Sequence, residues 1–301
     1  MNLTSPSQVR DLLARLDVRP NRVLGQNFLI DRNILDILVG AAAPSPQDTV
    51  LEVGPGLGVV TDALARRAGW VAAVEKDGRL AEHLRASLGA CGNLLVVQAD
   101  MLDVDVRPAD GGALRAAPGA DGRVRLVLPG AGYDLVSNLP YSSGSRIMVE
   151  LARAPYPPRR MTVTVQNEVA ARICAPPGGK AHGMLSAWLQ YSYEPALVRK
   201  VSATCFYPRP EVGSAIVALR RRPAPLLDAR LEPLFYDLTK HGFEHRRKQL
   251  AAILRQAPPP FAQPASATEA FLAARDLPPA ARPEQLGVED WCELVRTIAA
   301  R

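Results

Sequence analysis

The sequence contains no long run of apolar residues. No stretch approaches the ~20 consecutive apolar residues that a membrane-spanning helix requires. Residues 1–17 are polar and mildly amphipathic, and they lack the basic, apolar and small-residue parts of a secretory signal. We therefore expect a cytoplasmic protein that has no membrane partner.

Acidic residues are outnumbered by basic ones, and the imbalance is local. The chain has a net charge of +6 and a pI of about 9.3. Residues 195–255 alone carry 12 lysines and arginines against 5 acidic residues, an excess of 7. A local basic surface favours a polyanionic partner, most often nucleic acid, although a solvated face is the alternative.

Cysteine and histidine are both scarce. The four cysteines stand far apart and none is part of a CxxC pair, which favours isolated reduced thiols over disulfides. The four histidines show no ligand spacing with them, so we expect no metal. His241 and His245 stand four apart in a predicted helix, and we interpret them as a solvated or nucleic-acid-facing pair.

Short apolar runs alternate with amphipathic stretches over the first half of the chain. This alternation predicts an α/β fold with a parallel, doubly wound sheet, whose functional residues lie at the carboxyl ends of the strands. The five strands expected in that sheet are Thr49–Val53, Trp70–Val74, Asn93–Val97, Tyr133–Ser137 and Met161–Val165.

The remaining segments suggest two domains. Residues 105–132, rich in Gly, Pro, Ala and Arg, interrupt the alternation, and we interpret them as a surface insertion in which Arg123–Leu128 forms a short strand. Ala196–Val201 and Ser214–Leu219 resemble a late pair of strands at the sheet edge. From Pro223 onward the chain is Pro- and Ala-rich, with amphipathic runs that predict helices at Leu231–Lys240, Arg246–Arg255, Ala267–Arg275 and Val288–Ala300. We therefore expect a ligand-binding domain over 1–222 and a small helical domain over 223–301.

A glycine-rich turn follows the first expected strand. It reads Glu52-Val-Gly54-Pro-Gly56-Leu-Gly58. Glycines at a strand-to-helix turn allow a ligand to approach the backbone closely, but nicotinamide and flavin enzymes use related loops. A carboxylate at Glu52 favours a methyltransferase, where it faces the cationic amino-acid end of the cofactor.

Two further carboxylates follow the next two expected strands. Glu75 is placed to accept hydrogen bonds from ribose hydroxyls, a role that it would also have in a nicotinamide enzyme. Asp100 is placed to accept from the amino group of the cofactor adenine, with a helix cap as the alternative. Together they predict a nucleoside ligand.

The motif Asn138-Leu139-Pro140-Tyr141 follows the fourth expected strand. An exocyclic adenine nitrogen is a poor nucleophile because its lone pair is delocalised into the ring. The Asn138 side-chain oxygen and the Leu139 carbonyl could accept its two hydrogens, while Pro140 keeps the turn rigid. Tyr141 could stack on an extruded base. An ordinary turn after a strand is the alternative.

From about Pro20 to Leu254 the chain resembles the KsgA/RsmA family of ribosomal RNA adenine dimethyltransferases, which includes the Erm enzymes. The motifs that carry this resemblance, besides the four already described, are Leu24–Asp31, Gln166–Arg172, Leu185–Gln190, Phe206–Ser214 and Phe243–Lys248. The sequence departs from the usual pattern at Ser142–Ser145, His182, Glu211 and Gly213.

The resemblance implies a class I, Rossmann-like methyltransferase that uses S-adenosylmethionine. It adds Asn27 and Leu29 to the cofactor residues Glu52, Gly54, Gly56, Glu75, Asp100 and Asn138. It implies that Phe206 stacks on the target adenine opposite Tyr141, with a core phenylalanine as the alternative. It also implies phosphate contacts from Arg246, Arg247 and Lys248, three cations that we place on a helix; a solvated face is the alternative.

By the same resemblance, the substrate is a pair of adjacent adenines in the 3′-terminal hairpin of 16S ribosomal RNA, within an assembling small subunit, and the enzyme is a monomer. Three alternatives stay open. They are an Erm-type enzyme acting on 23S ribosomal RNA, a ribosome-assembly factor with weak catalysis, and a nicotinamide oxidoreductase. The Asn138–Tyr141 motif counts against the last.

Overall fold

The structure is a computed structural model that describes residues 3–20 and 25–300. It divides into two compact units, each with its own core. The first comprises Met1–Ala170 and Ala196–Arg221, and the second comprises Ala171–Pro195 and Arg222–Arg301.

The described residues form twelve strands. In chain order they are β1 Phe28–Leu29, β2 Thr49–Val53, β3 Trp70–Glu75, β4 Leu94–Gln98, β5 Val104–Pro108, β6 Arg115–Pro118, β7 Val124–Leu128, β8 Tyr133–Asn138, β9 Arg160–Gln166, β10 Tyr193–Val201, β11 Phe206–Tyr207 and β12 Ser214–Arg221.

They also form eleven α-helices. These are α1 Pro6–Arg15, α2 Arg32–Ala42, α3 Val59–Ala65, α4 Gly78–Leu88, α5 Gly144–Arg153, α6 Asn167–Ile173, α7 Met184–Ser192, α8 Glu232–Glu244, α9 Leu250–Arg255, α10 Ala265–Ala274 and α11 Val288–Ala299. In this part of the chain, every helix is too short or too polar to cross a bilayer.

A seven-stranded sheet forms the centre of the first unit, in the order β10-β12-β9-β8-β2-β3-β4. Strands β9, β8, β2, β3 and β4 run parallel, and β12 is antiparallel to β9. The five expected parallel strands are confirmed. The chain moves outward from β2 in one direction through β3 and β4, and later in the other through β8 and β9. The switch point between β2 and β8 is where such a sheet opens a crevice at its carboxyl edge.

Two helices that border this edge begin at aspartate caps. The Asp31 carboxylate accepts from the Ile34 N–H at 2.9 Å at the start of α2, and the Asp77 carboxylate accepts from the Arg79 N–H at 2.9 Å at the start of α4. Each cap satisfies a backbone donor that the helix leaves unpaired. The caps therefore fix where the loops before α2 and α4 end.

The insertion is a sheet of three strands in the order β5-β7-β6. β7 confirms the short strand expected near Arg123–Leu128. Strands β5 and β6 were not expected, because β6 has little β-propensity and the alternation of β5 is limited to two valines.

The second unit is helical, and its core surrounds the fully buried Trp291 of α11. Its boundaries differ from those expected, since residues 171–195 belong to it. The reason is packing: Trp188 and Tyr191 of α7 contact the same core as α8. The helix expected over Arg246–Arg255 is also shorter, because residues 245–248 form a turn before α9.

Candidate active site

A cavity of about 310 Å³ lies at the carboxyl edge of the central sheet, at the switch point between β2 and β8. All eight residues predicted to bind the cofactor line it, together with two of the residues predicted to be catalytic. They are Asn27, Leu29, Glu52, Gly54, Gly56, Glu75, Asp100 and Asn138, with Leu139 and Pro140. Leu24, the first residue of the expected N-terminal motif, lies outside the described residues.

The glycine-rich turn has a backbone that only glycine adopts readily. Gly54 and Gly56 have φ values of +67° and +59°. A Cβ at Gly56 would lie 2.9 Å from the ring of Phe28, and one at Gly54 would lie 3.3 Å from Pro140. The turn is therefore closed in by the N-terminal motif on one side and by the Asn138–Tyr141 loop on the other, with no room for side chains.

Glu75 is buried at the end of β3 and is held by backbone donors. The Gly56 N–H donates to one carboxylate oxygen at 3.0 Å, and the Asp77 N–H donates to the other at 2.9 Å. Burial raises the pKa of Glu75, and these two bonds oppose that shift. Each oxygen keeps a further lone pair, so the carboxylate can still accept from the hydroxyls of a ribose.

Glu52 is the most deeply buried acid of the cavity. Its Oε2 atom has no hydrogen-bond partner among the described residues. Burial, with a smaller contribution from the nearby Glu75 carboxylate, raises the pKa of Glu52 to about 8. A buried oxygen without a donor costs free energy, which a cationic ligand in the cavity would recover. The site thus fits a ligand with a cationic amino-acid end.

Asp100 has two partners inside the protein. One oxygen accepts from the Leu102 N–H at 3.0 Å and caps a short 3-10 helix, and the other accepts from Lys76 Nζ at 2.8 Å. The Lys76 hydrogen bond holds the pKa of Asp100 below its usual range. The helix cap considered as an alternative is therefore present, and Asp100 also lines the cavity.

Lys76 was missed by sequence reasoning, although its position offered a signal. It follows Glu75 directly at the carboxyl end of β3, where side chains face the crevice of a doubly wound sheet. It lines the cavity and pairs with Asp100 across the ends of β3 and β4.

Asn138 presents an oxygen to the cavity. Its Nδ2 atom donates to the Asn27 carbonyl at 2.8 Å, and its buried Oδ1 has no partner among the described residues. Only the NH₂ end of an amide can donate to a carbonyl, so this bond fixes which end of the side chain is the oxygen. The site therefore holds a preorganised acceptor that lacks a donor.

The loop after Asn138 is fixed by backbone hydrogen bonds. The Leu139 N–H donates to the Thr164 carbonyl of β9 at 3.2 Å. The Gly144 N–H donates to the Pro140 carbonyl at 2.8 Å and leads the chain into α5. A Cβ at Gly25 would lie 2.7 Å from the Tyr141 nitrogen, so the N-terminal motif also packs tightly on this loop.

The two aromatic residues expected to sandwich the target base do not form a parallel pair in this structure. The Tyr141 and Phe206 rings are 6.3 Å apart at 73°, an edge-to-face contact. Phe206 is 2% exposed and belongs to the apolar core, because β11 pairs it with Leu29 of β1. The core-phenylalanine alternative describes this arrangement, and neither ring lines the cavity. The Tyr141 hydroxyl shares a hydrogen bond with the buried Ser214, a partner that the sequence did not reveal.

The structure shows the surroundings of two departures from the family pattern, Gly213 and His182. A Cβ at Gly213 would lie 2.7 Å from Nδ2 of Asn167, so the Asn167 side chain fills the space that a larger residue would need. His182 is buried beside Phe243 with ring centroids 6.1 Å apart, and burial lowers its pKa. His182 therefore packs edge-on against an aromatic ring in the interior of the second unit.

The three cations predicted to contact RNA are in the second unit. Arg246, Arg247 and Lys248 are all exposed, and they lie in the turn after α8 rather than on a helix. Arg246 Nη2 donates to the Lys180 carbonyl at 3.3 Å. In the described part of the chain, no group of three His, Cys, Asp or Glu residues could hold a metal ion.

Comparison with known proteins gives matches over almost the whole chain. The family model described as ribosomal RNA adenine dimethylase matches residues 18–299. A protein named ribosomal RNA small subunit methyltransferase A from Pelotomaculum thermopropionicum is 41% identical over 82% of this chain and 81% of its own. One of the same name from Moorella thermoacetica is 36% identical over 99% of both chains. The crystal structure of the 23S ribosomal RNA methyltransferase ErmE is similar with a TM-score of 0.67 and 28% identity, over 91% of this chain and all of that one.

Proposed function

Since the chain belongs to the ribosomal RNA adenine dimethylase family, we propose that it dimethylates N6 of two adjacent adenines in the 3′-terminal hairpin of 16S ribosomal RNA. The chain is an S-adenosylmethionine-dependent methyltransferase with a class I fold, and ribosomal RNA is its substrate class. The specific substrate follows from its likeness to the small-subunit enzymes. The observation that carries the chemistry is the unpartnered Oδ1 of Asn138 at the cavity.

Different residues of the cavity would bind different parts of the cofactor. When bound, S-adenosylmethionine supplies an activated methyl group. Glu75 would accept from the ribose hydroxyls with its two prearranged oxygens. Asp100 would accept from the adenine amino group, and Glu52 would face the cationic amino-acid end. The glycines at 54 and 56 leave their backbone open to close approach.

Asn138 and Leu139 would hold the target amino group. Asn138 Oδ1 accepts from one N6 hydrogen and the Leu139 carbonyl from the other, which localises the nitrogen lone pair and makes it a better nucleophile. Both acceptors are fixed before the base binds, so little reorganisation is needed. Water takes the proton that N6 loses, because none of the described side chains that line the cavity is placed as a general base.

Base binding requires a rearrangement near Tyr141. An adenine stacked on Tyr141 cannot use Phe206 in its present edge-on, buried position. We propose that Tyr141 provides one face of the base site and that Phe206 forms the other only after its ring turns. This step would accompany extrusion of the base from the RNA stack.

We propose that the RNA phosphates are contacted by three exposed cations of the second unit, Arg246, Arg247 and Lys248. We propose that the enzyme acts as a monomer on assembling small subunits, and therefore in the cytoplasm.

Labelled methyl transfer to purified, unmethylated subunits tests this function. We expect dimethyladenosine in small-subunit RNA and none in large-subunit RNA. Label in large-subunit RNA alone would instead assign the chain to the Erm branch. If the protein binds small subunits and the subunits assemble normally but carry no label, the chain is an assembly factor.

A further inference from the structure

The inserted sheet has two unlike faces. Paired residues of neighbouring strands point to the same side, so the register places Val106, Leu126 and Ala116 in one row and Arg107, Val127 and Arg115 in the next, on the opposite side. On the first side Val104, Val106, Leu126 and Leu128 are buried. The second side carries three exposed arginines.

We call this second side the arginine face and define it by Arg107, Arg115 and Arg125. Arg125 lies two rows away from the other two, and therefore on the same side of the sheet, opposite Asp105 and Ala117. Arg107 pairs with Asp105 at 2.8 Å, and no residue within 3–20 or 25–300 forms an ion pair with Arg115 or Arg125. The face thus offers a surplus of positive charge that the protein itself leaves largely uncompensated.

We propose that the arginine face binds the phosphate backbone of the ribosomal RNA substrate. Arg107 and Arg115 lie on the two outer strands, so their Cα atoms are about 10 Å apart, twice the spacing of neighbouring strands. Arg125 lies between them, two residues along the sheet. Guanidinium groups bind phosphate oxygens in a bidentate manner, so three of them spread over this area can contact several phosphates of one RNA segment.

The composition of the face favours RNA over a protein partner. Protein interfaces depend on buried apolar or aromatic anchors at their centre. The exposed large apolar residues of the described chain are Met184, Leu197, Val198 and Val212, and none lies in the insertion. Val127, at the centre of the arginine face, is itself buried.

The face is also within reach of the cofactor cavity. β5 begins four residues after Asp100, which lines the cavity, and both belong to the first unit. Seven residues separate Asp100 from Arg107, a span of at most about 23 Å in an extended chain. An RNA segment held by the arginine face could therefore continue to the active site.

The test is the triple variant Arg107→Gln, Arg115→Gln and Arg125→Gln, assayed on unmethylated small subunits at several salt concentrations. The matched control replaces three other exposed arginines by glutamine. They are Arg66 and Arg67, which directly follow α3, and Arg85 of α4, and none of them lines the cavity. Both variants lose three charges. Circular dichroism and cofactor affinity establish that each is folded.

We expect the face variant to raise KM for small subunits about tenfold at ~0.1 M salt, with kcat unchanged. The slope of log KM against log salt should fall by about 2 to 3, as three phosphate contacts are lost. The control should keep the parent values, and replacement of the same three residues by lysine should restore most of the slope.

This inference rests on the proposed function, but the two fail differently. If the parent chain does not methylate small subunits, both are wrong. If the parent is active and the face variant keeps its KM and salt slope, only the arginine face is overturned. Equal losses in the face and control variants would overturn it too, because net charge would then be the cause.

Discussion

At the scale of single residues, Glu52 and Asn138 each place a buried oxygen without a hydrogen-bond donor beside the cavity. Such an atom typically costs a folded protein about 1–3 kcal/mol. Neither oxygen is required by the sheet or by a helix cap. Both oxygens are explained if a bound cofactor and a target amino group supply the missing donors. The free energy that they cost the folded protein is then recovered when the ligands bind.

Replacing Glu52 by glutamine tests whether this buried carboxyl lowers the stability of the folded protein. In the folded protein the pKa of Glu52 is about 8, above its ordinary value of 4.5. The stability that the protonated, buried carboxyl contributes is therefore fully present below pH 4.5 and is lost as the pH rises through 8. Glu52→Gln should remove this loss. Thermal unfolding from pH 5 to 8 should show the variant gaining stability over the parent, on the order of a few kcal/mol at most.

Cofactor affinity provides the control for that experiment. The parent should bind S-adenosylmethionine more tightly as the pH rises towards 8, since an ionised carboxylate attracts the cationic end. Glu52→Gln should bind weakly and without this pH dependence. Parallel stability profiles for the two proteins, or unchanged affinity, would show that Glu52 does not titrate as described.

The hydrogen bond between Tyr141 and Ser214 gives a second prediction at this scale. Ser214 is a positioning residue, since it holds the Tyr141 ring without lining the cavity. Ser214→Ala and Tyr141→Phe should each lower kcat by up to about tenfold, as expected for one hydrogen bond, and leave cofactor affinity unchanged.

A double-mutant cycle distinguishes positioning from a general structural effect. The two substitutions remove the same bond, so the double variant should be no slower than the slower single variant. Additive losses would mean that the hydrogen bond is not how Ser214 acts.

Individual residues could be predicted where a motif at a strand end determines their position. Glu75 and Asn138 are the last residues of β3 and β8 in the parallel sheet, and both line the cavity. The Tyr141–Phe206 geometry could not be predicted, because it depends on the pairing of β11 with β1, two strands of two residues each. Such short strands carry no periodic signal.

At the scale of elements, the turn between β2 and α3 is the part that tolerates least change. Gly56→Ala would combine a positive φ with a Cβ that contacts Phe28 at 2.9 Å. We expect a loss of roughly 1–3 kcal/mol in the free energy of unfolding, together with weaker cofactor binding. Urea denaturation and cofactor titration measure the two effects.

Gly40→Ala in α2 is the matched control, since its added Cβ meets nothing within 4 Å and Gly40 does not have a positive φ. It should leave cofactor affinity unchanged and raise stability by roughly 0.5–1 kcal/mol, the helix-propensity difference. Equal behaviour of the two variants would show that the turn is not sterically constrained.

The elements that the sequence predicted well are those with strong patterns. Strand β2 matches the expected Thr49–Val53, because its short run of β-branched and apolar residues ends at a glycine-rich turn. The expected helix over Arg246–Arg255 was wrong at its start, since helical spacing alone does not locate the turn before α9. Helix α2 was not predicted, although Asp31 is a good N-cap.

At the scale of the whole molecule, the change from strands to helices was predictable but the division of the chain was not. Segment 171–195 precedes β12 in sequence yet belongs to the second unit. Its assignment depends on tertiary contacts of α7, such as the bond from Trp188 Nε1 to Thr239 Oγ1 at 2.9 Å. Local patterns contain no information about contacts between residues 51 positions apart.

The proposed mechanism requires that the Asn138 oxygen activates an adenine amino group in ribosomal RNA. It is tested most directly by the single-turnover rate of methyl transfer to unmethylated small subunits, for the parent and for Asn138→Ala, with nucleoside analysis of the product. Loss of one preorganised group typically costs ~100-fold or more in rate, so we predict a loss of that size at saturating cofactor and substrate. A variant that forms dimethyladenosine within a few-fold of the parent rate would contradict the account.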